Sequence, residues 1–211
     1  TDRLDGFQGA IQIAVENMPA GFQVSQPLVI EAGQFITYAS INAAPDAKEP
    51  TPEDVKKIKV IATAMVNGKE VSKDVGGFAE LMLAAAPKIL VAIGPDEGDA
   101  AKVEAPTFGT PNPLELTIAP GETITARVHI QRNNDFNGRV GFEAIAHNLP
   151  HGIIVDNVGL SGLLIVEGKT QRQFYLTAAD WVPEQTRVFH LRSKEEGGQT
   201  SWPIILHVRH K

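Results

Sequence analysis

Histidine is the residue of this 211-residue chain best suited to proton transfer or metal binding, and all six histidines lie in the second half. His190 and His207 fall on two expected strands near the end of the sequence, out of phase with their apolar neighbours. Both side chains are therefore expected to face solvent as cross-strand neighbours, an arrangement that can hold a transition-metal ion. Because no third ligand is evident beside them, we predict surface histidines and no metal site.

Nucleophilic catalysis has one candidate residue, Ser161. It lies in Gly159-Leu160-Ser161-Gly162-Leu163, which has leucine where the Gly-x-Ser-x-Gly turn of serine hydrolases needs its second glycine. The chain has no cysteine, which excludes thiol nucleophiles, disulfides and thiolate metal sites. A glycosidase would need two carboxylates across one cleft, and the sequence places no acidic pair in that way. We therefore predict a turn serine, no catalytic residue and a protein that is not an enzyme.

Two short polar loops offer oxygen ligands to calcium. Asp5 lies in the first loop and Asn134-Asp135 in the second, each near a glycine. Their spacing does not fit the EF-hand loop, and Asp and Asn side chains commonly close turns onto their own backbone. We predict no metal ligand at these positions, and calcium binding to the turns stays an open alternative.

Four aromatic side chains could stack on sugar rings. They are Trp181, Trp202, Tyr38 and Tyr175. A concave sheet with both tryptophans exposed would favour carbohydrate binding, whereas tryptophans buried in the cores would count against it. Trp202 stands beside a proline at the start of the last expected strand, and we predict that it is buried.

The charge of the chain is unevenly divided. Residues 1–105 contain 9 Lys or Arg against 15 Asp or Glu, and residues 106–211 contain 10 of each, so the first half carries the whole net charge of −6. Neither half has the basic stripe that binds phosphates, and nucleic acid is not an expected partner. No apolar run approaches the roughly 18–20 residues that cross a bilayer, so we expect no membrane insertion by this segment.

The elements that would position these residues occur twice in the sequence. Four short matches recur in the same order, at separations that grow from 129 to 135 residues, as expected when loops of the second copy carry small insertions. The matches are Arg3–Gly9 with Arg132–Gly138, Asn17–Gly21 with Asn148–Gly152, Ile30–Gly33 with Ile165–Gly168, and Ala43-Ala44 with Ala178-Ala179.

The matched residues are typical of turns rather than of reactive chemistry. The Pro-x-Gly segments 19–21 and 150–152 suit the second and fourth positions of a β-turn, which makes His151 a variable turn residue. Phe7 and Phe136 are expected to plug the base of each core. No Lys-Ser or Lys-Thr follows the repeated glycines and no helix begins there, so we predict no phosphate cradle and no cofactor. The glycines concerned are Gly9, Gly33, Gly138 and Gly168.

Alternating apolar and polar residues predict short half-buried strands with little helix. Asn67-Gly68 between two such segments predicts a tight hairpin. Helix is expected only at 52–55, with Thr51 as N-cap, and at 78–86. The expected strands are 10–16, 35–42, 57–66, 69–75, 88–93, 114–118, 122–131, 139–146, 171–177, 187–193 and 203–209.

This pattern predicts an all-β protein of two tandem immunoglobulin- or fibronectin-III-like β-sandwiches. The first would span residues 1–95 and the second 114–211, joined by a proline-rich linker at 96–113. The first domain would lack counterparts of the two strands that precede Arg132, which would expose sheet edges. Either the chain is an excised piece of a longer protein or the apolar run 88–93 fills the gap, and we predict that 88–93 packs within the first domain.

The string R-x-[DN]-x-F-x-G, the N-Φ-P-x-G turn and the I-x-x-G string followed by paired alanines resemble the Ig-like repeats of large exported bacterial proteins, which often also carry pre-peptidase C-terminal modules. The resemblance covers Arg3 to about Val75 and Leu114 to about Arg209. It implies an extracellular, cell-envelope or periplasmic location and a non-catalytic spacer, adhesion or protein-interaction role. The implied partners are neighbouring domains of a longer chain and a protein or polysaccharide surface. A carbohydrate-binding module accessory to a secreted hydrolase is the open alternative.

Overall fold

The computed structural model describes residues 1–96, 106–111, 114–143, 146–156, 162–195 and 197–210. Within these residues the chain has fifteen β-strands and one short helix, so the prediction of an all-β protein is confirmed. The chain divides into two compact units, Thr1–Ala85 and Ala86–Lys211, which are called the first and the second unit below.

Six strands and one helix form the first unit. They are β1 (Ile11–Glu16), β2 (Phe22–Val24), β3 (Leu28–Ile30), β4 (Ile41–Ala43), α1 (Pro52–Lys57), β5 (Lys59–Val66) and β6 (Lys69–Asp74). One antiparallel sheet has the strand order β3-β1-β5-β6, and a second sheet pairs β2 with β4. Residues of β1 alternate between half-buried and exposed, because successive side chains of a strand point to opposite faces.

Local sequence signals set the hairpin and the helix of the first unit. Asn67 and Gly68 have φ angles of 50° and 75°, the left-handed conformation of a type I′ turn, and they connect β5 to β6 as predicted. The Thr51 hydroxyl accepts a hydrogen bond from the Asp54 N–H at 3.2 Å, and the Asp54 carboxylate accepts one from the Thr51 N–H. This reciprocal capping box begins α1 at Pro52.

Two other local predictions for the first unit fail. Residues 78–86 form no helix, because a segment this short with mostly exposed side chains gains too little packing to hold a helix. The Leu83 N–H there donates instead to the Glu49 carboxylate at 2.8 Å. β4 begins only at Ile41, although alternation predicted a strand from residue 35, because a strand needs a partner along its length and β2 is three residues long.

The described residues of the second unit form nine strands. They are β7 (Ile89–Pro95), β8 (Glu115–Ile118), β9 (Thr123–Arg132), β10 (Val140–Gly141), β11 (Ile153–Asp156), β12 (Leu164–Ile165), β13 (Gln171–Ala178), β14 (Gln185–Phe189) and β15 (Ile204–Val208). One sheet has the order β11-β13-β9-β7, a second has the order β14-β15-β8, and β10 pairs with β12. β8 runs parallel to β15. Isolated bridges link residues 142 and 147 to residues 193 and 190.

The apolar run 88–93 belongs to the second unit, so the prediction that it packs within the first domain is wrong. It forms β7, which pairs with β9 along its whole length. Ile89 and Ile93 are fully buried in the core of the second unit. A strand this apolar needs cover on both faces. Beside β9, all residues of β7 except Pro95 are buried or half-buried. Of the predicted linker 96–113, residues 97–105 and 112–113 lie outside the described residues.

The strand register follows the sequence repeat. β1 pairs with β3 as β10 pairs with β12, and β2 pairs with β4 as β11 pairs with β13. The matched register pairs are Ile11–Ile30 with Val140–Ile165, and Phe22–Ala43 with Ile153–Ala178. The two units therefore use the same turns to place the same strand pairs.

The two units differ in the depth of their cores. In the described part of the second unit, 22 buried apolar residues form one cluster that includes residues of both sheets. In the first unit the buried apolar residues are Phe22, Ile30, Val55 and Ile58. Large apolar side chains are instead exposed in the first unit at Leu4, Phe35, Ile36, Tyr38, Ile41, Met65, Val71, Val75 and Met82.

Candidate functional site

The residues that recur in both units converge on one arginine in each unit. In the first unit the Arg3 guanidinium donates hydrogen bonds of 2.7 Å to the backbone carbonyls of Gly9, Glu31 and Gln34. A guanidinium presents its five N–H groups in a rigid planar fork. One side chain therefore fastens the start of β1 to the loop that follows β3. We call this arrangement the arginine corner.

Arg132 forms the same arginine corner in the second unit. Its guanidinium donates to the carbonyls of Gly138 at 2.6 Å, Lys169 at 3.0 Å and Val166 at 3.1 Å. Each of these acceptors is the repeat counterpart of an acceptor of Arg3. Sequence analysis found the repeated arginine but missed its role, because backbone carbonyls as targets leave no side-chain pattern in the sequence.

A phenylalanine and a glycine complete each arginine corner. The guanidinium carbon lies 5.7 Å from the ring centre of Phe7 in one corner and of Phe136 in the other, which is cation–π range. A Cβ atom on Gly9 would lie 2.8 Å from the Phe7 ring, and one on Gly138 would lie 2.9 Å from the Phe136 ring. Only glycine leaves room for these rings. Both rings are half-buried, and Phe136 packs against the core of the second unit as predicted.

The candidate calcium ligands shape the turn inside each arginine corner. Asp5 has a φ of 53°, and Asn134 and Asp135 have φ angles of 52° and 57°. Asp and Asn adopt this left-handed conformation more readily than other side chains, apart from glycine. Across the described ranges, no group of three or more His, Asp or Glu side chains is placed to hold a metal ion.

The two Pro-x-Gly turns also match each other. Gly21 has a φ of 83° and Gly152 a φ of 88°, which are angles that glycine adopts without strain. In each turn the residue after the glycine donates its N–H to the proline carbonyl at 3.0 Å. A β-turn forms at both predicted places, but proline occupies the first and glycine the third position of each turn rather than the predicted second and fourth.

His190 and His207 are not cross-strand neighbours, which corrects the sequence-based expectation. Thr186 stands opposite His207, whose ring nitrogens hydrogen-bond to the Thr186 hydroxyl and the Glu115 carboxylate, both at 2.9 Å. His190 is 1% exposed and does not face solvent. The chain segment that carries His147 pairs with residue 190 through an antiparallel β-bridge. The structure therefore does not bring the two candidate ligands together.

Polar side chains surround the buried His190. The His147 ring lies 5.0 Å from the His190 ring, and His147 Nε2 hydrogen-bonds to the Glu143 carboxylate at 2.8 Å. Arg192 contacts the other oxygen of that carboxylate at 2.9 Å. Burial, with help from His147 and Arg192 and against the effect of Glu143, lowers the pKa of His190 to about 4. His190 is therefore a neutral core residue at pH 7.

A second buried polar group lies on β9 and β13. Arg127 and Gln173 donate to the two carboxylate oxygens of Asp96. Burial acts to raise the pKa of Asp96, but hydrogen bonds from Gln173, Thr125 and Arg127 outweigh it and hold the pKa below its usual value. Burial and Arg127 lower the pKa of His129 to about 4. Sequence analysis missed this group because it placed Asp96 in the linker.

The aromatic candidates do not form one platform. Trp181 is 60% exposed, lies in the turn after β13 beside Gly152, and has its ring 5.2 Å from the His151 ring. Trp202 is half-buried just ahead of β15 rather than buried as predicted. Neither residue lies within a strand, so no sheet of the described chain presents both indoles. The two tyrosines belong to different units.

The candidate nucleophile Ser161 lies outside the described residues, together with residues 157–160. None of the helices in the ranges that the structure describes has the length and apolar character needed to cross a bilayer.

Comparisons with known proteins give structural likenesses alone. No protein-family model matches the chain, and no curated protein matches it. The crystal structure of domains 4 and 5 of the S-layer protein SbsC is similar with a TM-score of 0.34 and 12% identity, over 94% of this chain and 70% of that one. The fibronectin(III)-like modules of Clostridium thermocellum CbhA are similar with a TM-score of 0.26 and 11% identity, over 100% and 82%. Because both TM-scores are low, we describe the fold of the chain from its own strand pairing alone.

Proposed function

We propose that the chain is a non-catalytic tandem β-sandwich segment of a larger secreted or cell-envelope bacterial protein, where it serves as a spacer or as a protein-interaction and adhesion unit. The arginine corners carry this proposal. Arg3 and Arg132 direct their guanidinium groups to backbone carbonyls of their own unit. An arginine that binds a substrate carboxylate or phosphate offers that fork to the ligand. The chemistry that the two units share therefore builds the fold.

The strand order of the second unit suits a segment that carries tension. β8 lies parallel to the last strand, β15. Glu115 stands opposite Ile205, and Ile118 stands opposite Val208. The chain enters β8 at one end of this pair and leaves β15 at the other. Force applied at these two points therefore acts along both strands and loads their hydrogen bonds together, whereas force that enters the unit through β7 first loads the antiparallel pairing of β7 with β9. Antiparallel terminal strands would open one bond after another.

Single-molecule force spectroscopy on the full chain tests the spacer role. The absence of native cysteine allows handles to be attached through introduced thiols. Pro111→Cys with Arg209→Cys pulls β8 and β15 in shear, whereas Glu184→Cys with Arg209→Cys pulls the antiparallel β14–β15 pair open from its end. We expect a distinctly higher unfolding force in the first geometry. Equal forces in the two geometries, or a lower force in shear, would contradict the spacer role.

The exposed indole of Trp181 makes carbohydrate binding the second candidate function. Electrophoresis through gels that contain soluble polysaccharides tests it. Binding would slow the wild-type chain, Trp181→Ala would abolish the retardation, and Trp202→Phe would preserve it because Trp202 is half-buried. Equal mobility with and without polysaccharide would remove this candidate.

A further inference from the structure

We propose that Asn67 is a site of spontaneous covalent modification: the Gly68 backbone nitrogen displaces the side-chain amide of Asn67, and the isoaspartate that forms releases β6 from β5. The proposal concerns the chemistry of the chain itself and goes beyond the role proposed above. Its physical basis is the difference in surroundings between the two Asn-Gly pairs of the sequence, Asn67-Gly68 and Asn137-Gly138.

The reaction needs only the Asn-Gly pair and water. The Gly68 nitrogen loses its proton to hydroxide and bonds to the side-chain carbonyl carbon of Asn67. The amide nitrogen of that side chain takes a proton from water and leaves as ammonia, which closes a cyclic imide. Water then adds to either carbonyl carbon of the imide, and the bond from that carbon to the ring nitrogen breaks. One product is aspartate. The other is isoaspartate, in which the backbone runs through the side-chain carbons.

The hairpin turn leaves both reacting groups of Asn67-Gly68 accessible. Both residues are exposed, and no hydrogen bond of the described chain involves the Asn67 side chain or the Gly68 N–H. A Cβ atom on Gly68 would meet no atom within 4 Å, so nothing packs against this backbone. Glycine itself has no side chain that would shield its nitrogen. The Asn67 side chain can therefore turn towards this nitrogen without breaking a hydrogen bond.

The hairpin around this turn opens at little cost. The imide ring contains the bond between the Cα and carbonyl carbons of Asn67, so this bond must rotate out of the type I′ conformation. All six residues of β6 are exposed, and β5 is its neighbour in the described sheet. An exposed edge strand without buried side chains opens locally more easily than the rest of a domain. The rotation that the reaction needs is therefore accessible in the folded chain.

The second Asn-Gly pair is held by the arginine corner of its unit. The Asn137 side-chain oxygen accepts a hydrogen bond from the Gly168 N–H at 2.8 Å, and the Gly138 carbonyl accepts one from Arg132 at 2.6 Å. The Phe136 ring lies so close to Gly138 that a Cβ atom there would be 2.9 Å from it. Because these contacts must break before the imide can form, this pair reacts more slowly than Asn67-Gly68.

The two products affect the hairpin differently. Aspartate adopts the left-handed conformation as readily as asparagine, so it keeps the turn. Isoaspartate adds one carbon atom to the backbone between Val66 and Lys69, which are the last register pair of the hairpin. Because the length of a hairpin loop sets the register of its strands, this pair can no longer close. β6 has no buried side chain to hold it and therefore separates from β5.

Peptide mapping of the full chain by mass spectrometry tests the reaction. The folded chain is incubated in mildly alkaline buffer made with heavy-oxygen water, so that deamidation during the incubation carries the label and deamidation during later digestion does not. We expect labelled product to form at Asn67 at least roughly tenfold faster than at Asn137, because the contacts of the second pair must break first. Equal rates at the two sites, or a slower rate at Asn67, would overturn the proposal.

Variants of Arg132 show whether the contacts of the arginine corner cause this difference. Arg132→Ala removes the hydrogen bond to the Gly138 carbonyl and should raise the rate at Asn137 several-fold, with the rate at Asn67 unchanged. Arg132→Lys keeps the charge without the planar fork and should raise the rate at Asn137 by a smaller factor. An unchanged rate at Asn137 in both variants would overturn the proposal, because the two pairs would then differ for another reason.

Hydrogen exchange tests the release of β6. The chain that carries isoaspartate is separated from the aged protein by chromatography and compared with the variant Asn67→Asp, which has the same charge without the added backbone atom. We expect the amides of Val71 and Lys73, which face β5 in the register of the hairpin, to exchange at least roughly tenfold faster in the isoaspartate form. Equal exchange in the two forms would overturn the proposal. The spacer role has its own force measurement, so its failure leaves these tests unaffected.

Discussion

The first and second units place the same arginine corner on very different interiors. Arg3 and Arg132 bind matching carbonyls, and Phe7 and Phe136 lie at the same distance from their guanidinium groups. Yet the second unit buries a continuous cluster of apolar residues, whereas the strands of the first unit expose Ile41, Met65 and Val71 and leave most of their other large apolar side chains half-buried.

This difference separates two sources of order. The corner depends on residues close together in sequence and on one loop that returns to them, so it forms in both units. The core depends on how many strands face each other. Beside its four-stranded sheet, the described part of the second unit has a three-stranded and a two-stranded sheet, and the first unit has only the two-stranded sheet of β2 and β4.

Acid should produce the largest difference in stability between the two units, because all six histidines lie in the second unit. The fold keeps His129 and His190 neutral down to a pKa of about 4, below the usual 6.5. As pH falls below 6.5 the unfolded state binds protons first, so the free energy of unfolding of the second unit decreases. The loss is complete near pH 4 and amounts to about 3 kcal/mol for each histidine.

Urea unfolding followed by tryptophan fluorescence measures this effect, since both tryptophans belong to the second unit. His190→Gln should flatten the dependence of the unfolding free energy on pH, and the exposed His210→Gln should leave it unchanged. A second unit equally stable at pH 7 and pH 4 would show that its buried histidines are not held neutral.

Truncation of matched core residues should give the next largest difference. Leu176→Ala removes a side chain that is 0% exposed and should destabilise the second unit by about 2–5 kcal/mol. Ile41→Ala, at the matching place, removes a side chain that is 44% exposed and should cost the first unit less than about 1 kcal/mol. Denaturant titrations with residue-resolved hydrogen exchange distinguish the units. Equal losses would mean that the first unit has a closed core in solution.

Removal of the corner arginines should destabilise the two units equally. Arg3→Ala and Arg132→Ala each remove three hydrogen bonds to backbone carbonyls and should each destabilise their own unit by about 2 kcal/mol. Lysine at either position restores the positive charge on a single nitrogen without the planar fork and should recover a minor part of the lost stability. Hydrogen exchange in β1 and β10 measures the stability of the first and the second arginine corner, respectively. A large effect in one unit only would show that the contribution of the arginine corner depends on the core beneath it.

Substitution of the corner glycines should have the smallest effect. Gly9→Ala and Gly138→Ala place a methyl group under 3 Å from a phenylalanine ring, which must then move from its arginine. We expect a net loss of about 1 kcal/mol in each unit, because this strain exceeds the gain of roughly 0.5–1 kcal/mol from reduced backbone freedom. Thermal unfolding checks the sign of this change.

The sequence predicted features that a few neighbouring residues determine. Asn67-Gly68 forms its hairpin and Thr51 its cap because the required conformations and hydrogen bonds are local. The Pro-x-Gly turns form in both units for the same reason, although each is shifted by one residue from the predicted register. These local elements were enough to predict an all-β fold with paired repeats.

The sequence could not determine which distant segment covers a given face. The run 88–93 is apolar enough for burial anywhere, and only the pairing with β9 decides its unit. His190 is out of phase with its apolar neighbours, yet it is buried, and the distant residue His147 is paired with it and in ring contact with it. The role of Arg3 was hidden for a related reason, since its targets are carbonyls that any residue could provide.

The pairing of β8 with β15 also affects how the second unit is made. β15 is the last strand of the unit and completes the sheet that β8 begins. A chain produced from its N-terminus holds β8 without this partner until residues 204–208 have followed, and contacts so distant in sequence slow folding. The second unit therefore closes its sheet late in its own synthesis, and a chaperone that shields Ile118 during this interval would raise the yield of folded protein.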